Sequence, residues 1–146
     1  MKKLILAVLV LFSISAFAGH APLPTELMQA KTVYIQNDGA PTSDLRVCTE
    51  ELNKWGRFTV VSNPKDADVI FRLNFRIENG GYRVTSYGVS STMNALKTIT
   101  VLQRSTGNIL WTDTRAAKLF GSPTKAVVNE LRKRVEEQEK TDGKSK

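Results

Sequence analysis

A strict alternation of apolar and polar residues between Asp68 and Glu78 constrains the fold more than any other feature of this chain. The alternating positions are Val69, Phe71, Leu73, Phe75 and Ile77 on one side and Ile70, Arg72, Asn74, Arg76 and Glu78 on the other. Successive side chains of a β-strand point to opposite faces, so this period of two predicts a long strand with one core face and one mostly polar face. A fold made only of helices is therefore excluded.

Shorter runs rich in β-branched and aromatic residues predict further strands. These runs cover residues 32–36, 58–62, 96–103 and 109–114, with a short additional strand over 82–87. Asn79, Gly80 and Gly81 predict a hairpin turn after the long strand. Residues 88–94, which are rich in serine, glycine and threonine, are interpreted as a loose loop.

Two segments have the apolar stripe of an amphipathic helix. One stripe consists of Leu45, Cys48, Leu52 and Trp55, and the other consists of Val128, Leu131 and Val135. Thr42 or Ser43 is expected to cap the first helix, and Gly56 is placed to end it. Ser122 followed by Pro123 marks the start of the second helix.

The order of elements is β-α-β-β-(β)-β-β-α, which predicts an α+β fold. We expect a two-layer α/β sandwich in which both helices cover one face of a four- to six-stranded mixed sheet. Residues 32–135 form a single α/β domain, and residues 19–31, with two prolines, form an extended lead-in. Residues 136–146 are almost wholly polar and predict a disordered tail.

Residues 1–18 have the three regions of a secretory signal peptide. Two lysines precede an apolar run over residues 4–12, and a small-x-small sequence at residues 16–18 provides a cleavage site. The run is shorter than the ~20 residues that a membrane-spanning helix needs. A membrane span is therefore not expected. Because no cysteine stands directly after the cleavage site, a lipid anchor is not expected in the mature chain either. Cleavage near Ala18 predicts a bacterial protein of the periplasm or the exterior.

The net charge is +7, and the basic excess is concentrated in residues 65–121. Arg72 and Arg76 share the polar face of the long strand, and Arg83 is expected near them across the predicted turn. The predicted partner-binding residues are Arg72, Arg76, Arg83, Tyr82 and Tyr87. Such a surface suits an anionic polymer or an acidic protein, although a solvated outer face produces the same pattern. Nucleic acid is not an expected partner of an exported protein.

A single histidine and a single cysteine restrict the available chemistry. His20 falls at a loose N-terminus without a second imidazole, and Cys48 lies on a helix stripe, where cysteine acts as a small hydrophobe. An intermolecular disulfide through Cys48 stays open. Asp68 and Asp113 are the one pair of carboxylates considered for a hydrolase, because glycosidic cleavage needs two carboxyl groups at a set separation. We predict no catalytic, cofactor-binding or metal-binding residue.

Three short motifs carry a family resemblance. They are the strand entry at residues 65–70, the Thr-Gly-Asn-Ile-Leu-Trp hairpin at residues 106–111, and the closing helix after Ser122 and Pro123. Over residues 31–135 the chain resembles small α/β domains of the bacterial envelope: the TolB N-terminal domain, the CsgG curli-secretion lipoprotein and LpoB-type activators of peptidoglycan synthases. The lipid-anchoring cysteine of many such proteins and the pore-forming insertions of the curli protein are missing, so a secretion pore is not expected.

The sequence thus predicts an exported binding or adaptor module rather than an enzyme. We expect it to support envelope assembly or maintenance through its exposed sheet face and residues 79–94, with an envelope protein or an anionic polymer as partner. A small secreted carboxylate-dependent hydrolase is one alternative. A stand-alone binder of lipopolysaccharide or wall polymer is another, and the oligomeric state stays open.

Overall fold

The computed structural model describes residues 20–117 and 121–144, so the predicted signal peptide lies outside the described residues. The elements are α1 (Thr25–Gln29), β1 (Thr32–Asp38), α2 (Thr42–Trp55), β2 (Thr59–Val60), β3 (Val69–Thr85), β4 (Gly88–Gln103), β5 (Ile109–Ala116) and α3 (Pro123–Gly143). A short 3-10 turn at Pro64–Asp66 precedes β3.

The five strands form one mixed sheet in the order β2-β1-β3-β4-β5. β1 pairs in parallel with β2 and β3, whereas β3, β4 and β5 pair antiparallel in succession. One core joins the sheet to both long helices; its central side chains are Val33, Phe71, Leu73, Val101, Cys48, Leu52, Val127, Leu131 and Val135. The predicted α+β two-layer sandwich is confirmed, with α2 and α3 on the same face.

The ends of α2 follow the prediction only in part. Gly56 adopts φ 72° and donates its backbone N–H to the Leu52 carbonyl, which ends the helix as predicted. At the other end, neither Thr42 nor Ser43 caps the helix, because α2 begins directly after Pro41 without a side-chain cap.

α3 begins as predicted, since the Ser122 hydroxyl accepts a hydrogen bond from the Lys125 backbone N–H at 3.3 Å. The sequence predicts a disordered tail over 136–146, but α3 continues to Gly143. Its last turns have partners: the Gln138 side chain accepts from the Leu23 backbone N–H at 2.7 Å, and Glu139 pairs with Arg57. These contacts join the helix to the N-terminal segment and explain why it persists.

The predicted hairpin turn at Asn79, Gly80 and Gly81 is wrong. β3 continues through these residues to Thr85, and the chain reverses in a two-residue turn at 86–87. The segment interpreted as a loose loop over 88–94 is the first half of β4. Gly80 and Gly81 instead form a β-bulge, because their stretch of β3 has one residue more than the facing stretch of β4.

Candidate functional site

The β3–β4 hairpin extends beyond the rest of the sheet. β1 pairs with β3 only as far as Asn74, and the ladder between β4 and β5 ends at Leu96. Residues 77–95, which we call the arm, therefore form a two-stranded ribbon that projects from the domain. Nine residues of strand span ~30 Å. An isolated two-stranded ribbon is only marginally stable in water, so the arm is the least supported element of the sheet.

One face of the arm is apolar. Directly opposed residues of an antiparallel pair lie on the same face of the sheet, and the ladder places this face in line with the core side. Its apolar residues are Ile77, Tyr82, Val84, Val89 and Met93, each at least 60% exposed, and Asn79 and Ser91 lie among them. Tyr87, in the turn at the tip, is 99% exposed. The core face of the sheet thus continues into solvent as an apolar ribbon.

The bulge determines which side chains lie on this face. Without the extra residue, the period of two would place Tyr82 and Val84 on the polar face with Arg76, and Arg83 on the apolar face. The bulge reverses this, so that Tyr82 and Val84 lie on the apolar face and Arg83 lies on the polar face. A Cβ atom on Gly80 would lie 2.9 Å from the Thr92 hydroxyl oxygen, so a side chain there would force its neighbours to move.

Glycine is also required at the second bulge position. Gly81 adopts φ 94°, a conformation that residues with side chains rarely adopt. Its backbone N–H donates to the Asn79 side-chain oxygen at 3.0 Å, and its carbonyl accepts from the Thr92 hydroxyl at 3.2 Å. The Asn-Gly-Gly sequence that predicts a turn therefore forms a bulge that orients the apolar face.

The five predicted partner-binding residues do not form one cluster. Arg72, Arg76 and Arg83 lie on the polar face of the sheet, Tyr82 lies on the opposite face of the arm, and Tyr87 lies at the tip. Arg72 and Arg76 are four residues apart, about 13 Å along the strand. Arg76 also pairs with Glu78 at 2.8 Å, which neutralises its charge locally.

Several lysine and arginine side chains of residues 65–121 form ion pairs or hydrogen bonds with other groups of the protein. Lys97 pairs with Asp44 at 2.6 Å, and Arg115 pairs with Asp113 at 2.8 Å. Arg104 donates to the Ala67 carbonyl at 2.6 Å. The sheet half of the domain is therefore less positive in its surface chemistry than the residue count indicates.

Arg72 is the exception at the centre of the polar face. Its Nε atom is buried and lacks a hydrogen-bond partner among the described residues. Gln36 and Thr100 are its neighbours on the two adjoining strands. The Nε–H group of Arg72 is therefore a hydrogen-bond donor without an acceptor among the described residues, in a polar environment.

The two carboxylates of the hydrolase alternative are not brought together. Asp68 accepts backbone hydrogen bonds from Lys31 at 2.9 Å and Thr32 at 3.0 Å, and these bonds hold the pKa of its carboxyl below the usual range. It fixes the entry to β1 and β3. Asp113 lies beyond β4, opposite Ile99, roughly 17 Å further along the sheet.

Cys48 is wholly buried in the core. Burial raises the pKa of its thiol to about 12, and the nearby Asp44 carboxylate acts in the same direction. The thiol is therefore neutral and shielded at physiological pH. His20 is exposed, and among the described residues no three histidine, cysteine or acidic side chains are grouped to hold a metal ion.

Apart from Tyr82 and Tyr87, sequence reasoning missed the apolar residues of the arm. The available signal was the recurrence of Val89, Met93 and Ala95 at every second or fourth position, which fits the period of a strand. Its small polar residues and the glycines before it favoured a loop interpretation instead. Within the part of the chain that the structure describes, no helix is both long enough and apolar enough to cross a membrane.

No protein-family model matches the chain, and no curated protein matches it. Solved structures with a similar arrangement include the PelC dodecamer from Paraburkholderia phytofirmans, at 12% identity and a TM-score of 0.43, covering 79% of this chain and 93% of that one. A minor lipoprotein from Acinetobacter baumannii has 12% identity and a TM-score of 0.38, covering 74% and 89%. The rare lipoprotein B from Shewanella oneidensis has 9% identity and a TM-score of 0.39, covering 79% and 98%. The three families that the sequence motifs resemble are not confirmed.

Proposed function

We propose that this protein is an exported binding module of the bacterial cell envelope, and that the apolar face of the arm is its contact surface for a protein partner. The observation that supports this most is the exposure of Ile77, Tyr82, Val84, Val89 and Met93 on one face of a projecting ribbon. Contiguous exposed apolar surface on a soluble domain commonly marks an interaction site.

The chemistry of the arm favours a protein over an anionic polymer as the partner of this face. From Val84 to Leu96 the chain has no charged residue, so this stretch offers no guanidinium or ammonium group to a phosphate or carboxylate. Valine, methionine and tyrosine bury apolar area on contact, and tyrosine and methionine are enriched in the cores of protein interfaces. Export rests on the predicted signal peptide and is part of the same proposal.

The test is a comparison of substitutions on the two faces of the arm. Val84→Ser with Val89→Ser removes apolar area, whereas Thr85→Ser with Ser90→Ala changes the polar face by a similar number of atoms. After cross-linking in intact cells, a specific envelope protein should co-purify with the wild type and the polar-face variant. We expect at least a fivefold lower yield with the apolar-face variant. Equal yields from both variants would contradict the proposal.

A second candidate function is supported by Arg72, whose buried Nε atom has no hydrogen-bond partner in the part of the chain that the structure describes. An anionic envelope polymer bound on the polar face could accept hydrogen bonds from Arg72 and Arg83. Binding to purified lipopolysaccharide or wall fragments should then fall with rising salt and with Arg72→Gln plus Arg83→Gln. Binding that is absent, or that does not respond to salt, would exclude this function.

A further inference from the structure

The outer edges of this sheet differ in how they are protected against pairing with another strand. Exposed edges carry unpaired backbone N–H and C=O groups, and proteins protect them by short strands, charges, prolines or bulges. β2 at one edge is only two residues long. β5 at the other edge carries Asp113 and Arg115. On the arm, the β3 edge contains the bulge at Gly80 and Gly81.

The β4 edge of the arm has none of these protections. Residues 88–95 contain neither a charged residue nor a proline. The one irregularity in their ladder with β3 is the bulge, whose extra residue belongs to β3. The next strand, β5, begins its ladder only at Leu96. Of all the strand edges in the described chain, this one is the least guarded.

The backbone groups that this edge offers can be identified. The Ala95 carbonyl accepts a hydrogen bond from the Ala117 N–H at 2.7 Å, so the polar backbone groups of Ala95 point away from β3. Backbone direction alternates along a strand, so those of Val89, Ser91 and Met93 also point outward. Within residues 20–117 and 121–144, no backbone group pairs with the outward donors and acceptors of these three residues.

We propose that this edge, residues 89–93, pairs antiparallel with the same edge of a second copy of the chain. With Ser91 opposite Ser91 of the partner subunit, Val89 of each copy faces Met93 of the partner subunit. All three outward-pointing residues on each edge are then in hydrogen-bonded pairs, which exchange both N–H and C=O groups. The register also joins apolar side chains across the interface on the apolar face.

The absence of charge is what makes a second copy the fitting occupant. In a two-fold pairing the two edges bring the same set of residues together, so a charged residue near the axis would lie close to its own copy. Residues 84–96 contain none. The two arms would form a four-stranded platform with Ser91 of both copies at its centre and apolar side chains on either side, which also relieves the marginal stability of a two-stranded ribbon.

The size of the edge sets the expected strength. Stable interfaces bury about 800 Å² on each partner, and five residues of strand pairing provide only part of that area. We therefore expect a monomer–dimer equilibrium that responds to concentration. The pairing uses the edge of the arm, whereas the proposed partner contact uses its face, so either one can fail without the other.

Sedimentation of the purified mature protein over a range of concentrations tests the proposal. Ser91→Pro removes an outward N–H without taking a hydrogen bond from the ladder with β3, and Ser91→Ala is the matched control that keeps the N–H. We expect wild type and Ser91→Ala to dimerise with similar affinity and Ser91→Pro to weaken dimerisation at least tenfold. A wild type that is monomeric at every concentration, or a dimer unaffected by Ser91→Pro, would overturn the proposal.

Disulfide trapping tests the register without relying on a proline. Ser90 and Thr92 of the partner subunit form a non-hydrogen-bonded pair in the proposed register, where Cα atoms are ~4.5 Å apart and a disulfide can form. A mixture of Ser90→Cys and Thr92→Cys proteins should give a mixed dimer on oxidation. A mixture of Ser90→Cys and Thr85→Cys proteins should give little. Equal amounts of mixed dimer in the two mixtures would contradict the register.

Discussion

Asp44 and Lys97 form an ion pair that links the first turn of α2 to β4 close to where the arm begins. Asp44 is 4% exposed, and its Oδ1 atom lies 2.6 Å from the Lys97 ammonium nitrogen. Its Oδ2 atom is buried and lacks a hydrogen-bond partner in the described chain. Lys97 lies opposite Phe75, and each is two residues from the arm on its own strand. The pair therefore fixes the base of the arm against the helical layer.

Lys97→Ala should destabilise the fold markedly, because it leaves a buried carboxylate without its cation. Removing one partner of a buried ion pair typically costs ~3 kcal/mol. Urea unfolding should show this loss. Arg46→Ala, which breaks the exposed Arg46–Glu50 pair, is the control and should cost less than about 1 kcal/mol. Losses of equal size would show that the Asp44–Lys97 pair is not buried in the way described.

The double variant Asp44→Leu with Lys97→Met tests whether the stability lost in Lys97→Ala comes from the unpaired carboxylate of Asp44. Replacing both charges by apolar residues of similar size is often neutral or stabilising. The double variant should therefore recover most of the stability lost in Lys97→Ala. A double variant as unstable as Lys97→Ala would show that the loss does not come from leaving the Asp44 carboxylate without its cation.

Cys48 should be inert in the folded protein and should make stability depend on alkaline pH. Its folded-state pKa is raised to about 12, above the ~8.5 of an unperturbed thiol. The unfolded chain therefore loses this proton first as pH rises, so the free energy of unfolding falls between about 8.5 and 12. Cys48→Ala should remove this part of the pH dependence.

A thiol reagent at pH 8 provides the direct measurement for Cys48. It should label the unfolded chain in denaturant rapidly and the native protein at least a hundredfold more slowly. Rapid labelling of the native protein would show that the thiol is accessible and that an intermolecular disulfide is open to it.

At the scale of elements, the arm is the part that sequence reasoning described least well. The start of β3 was predictable because Val69, Phe71 and Leu73 lie in the core, which imposes a clear period. From Ile77 onward the strand is exposed, and small polar residues interrupt the pattern. Asn79, Gly80 and Gly81 have the composition of a hairpin turn, and only the pairing with β4 makes them a bulge.

Shortening the arm should leave the domain folded. Glu78 and Asn94 are directly opposed, so Asn-Gly in place of residues 79–93 can close the hairpin with a two-residue turn. The removed residues contribute nothing to the core cluster, so the free energy of unfolding should change by less than about 1 kcal/mol. Circular dichroism during thermal unfolding measures this. A collapse of the melting transition would show that the arm is part of the folding unit.

For the molecule as a whole, the sequence was sufficient for the class of fold but not for the site. Two helix stripes and the single core face of β3 imply a two-layer arrangement, because each apolar surface must be buried against another. The pairing of β1 between β2 and β3, and the early end of β1 and β5, depend on long-range contacts that periodicity does not encode. Those ends are what expose the arm, so local patterns pointed to residues 79–94, with Tyr82 and Tyr87, but not to the apolar face that the arm presents.

The charge distribution shows the same limit. The excess of lysine and arginine in residues 65–121 suggests a basic surface, but tertiary contacts engage Lys97, Arg104 and Arg115 internally. Counting residues cannot separate charges that serve the fold from charges that remain available. Arg72 and Arg83 are the members of the predicted set without an ion pair in the described chain.

Photo-cross-linking from adjacent residues of the arm tests the central claim most directly. A benzophenone amino acid at position 84 lies on the apolar face, and the same residue at position 83 lies on the polar face of the same strand. We predict that cells expressing the position 84 variant give a specific adduct with an envelope protein, and that position 83 gives at least fivefold less. Adducts of equal yield at both positions, or none at position 84, would contradict the claim that this face is the contact surface.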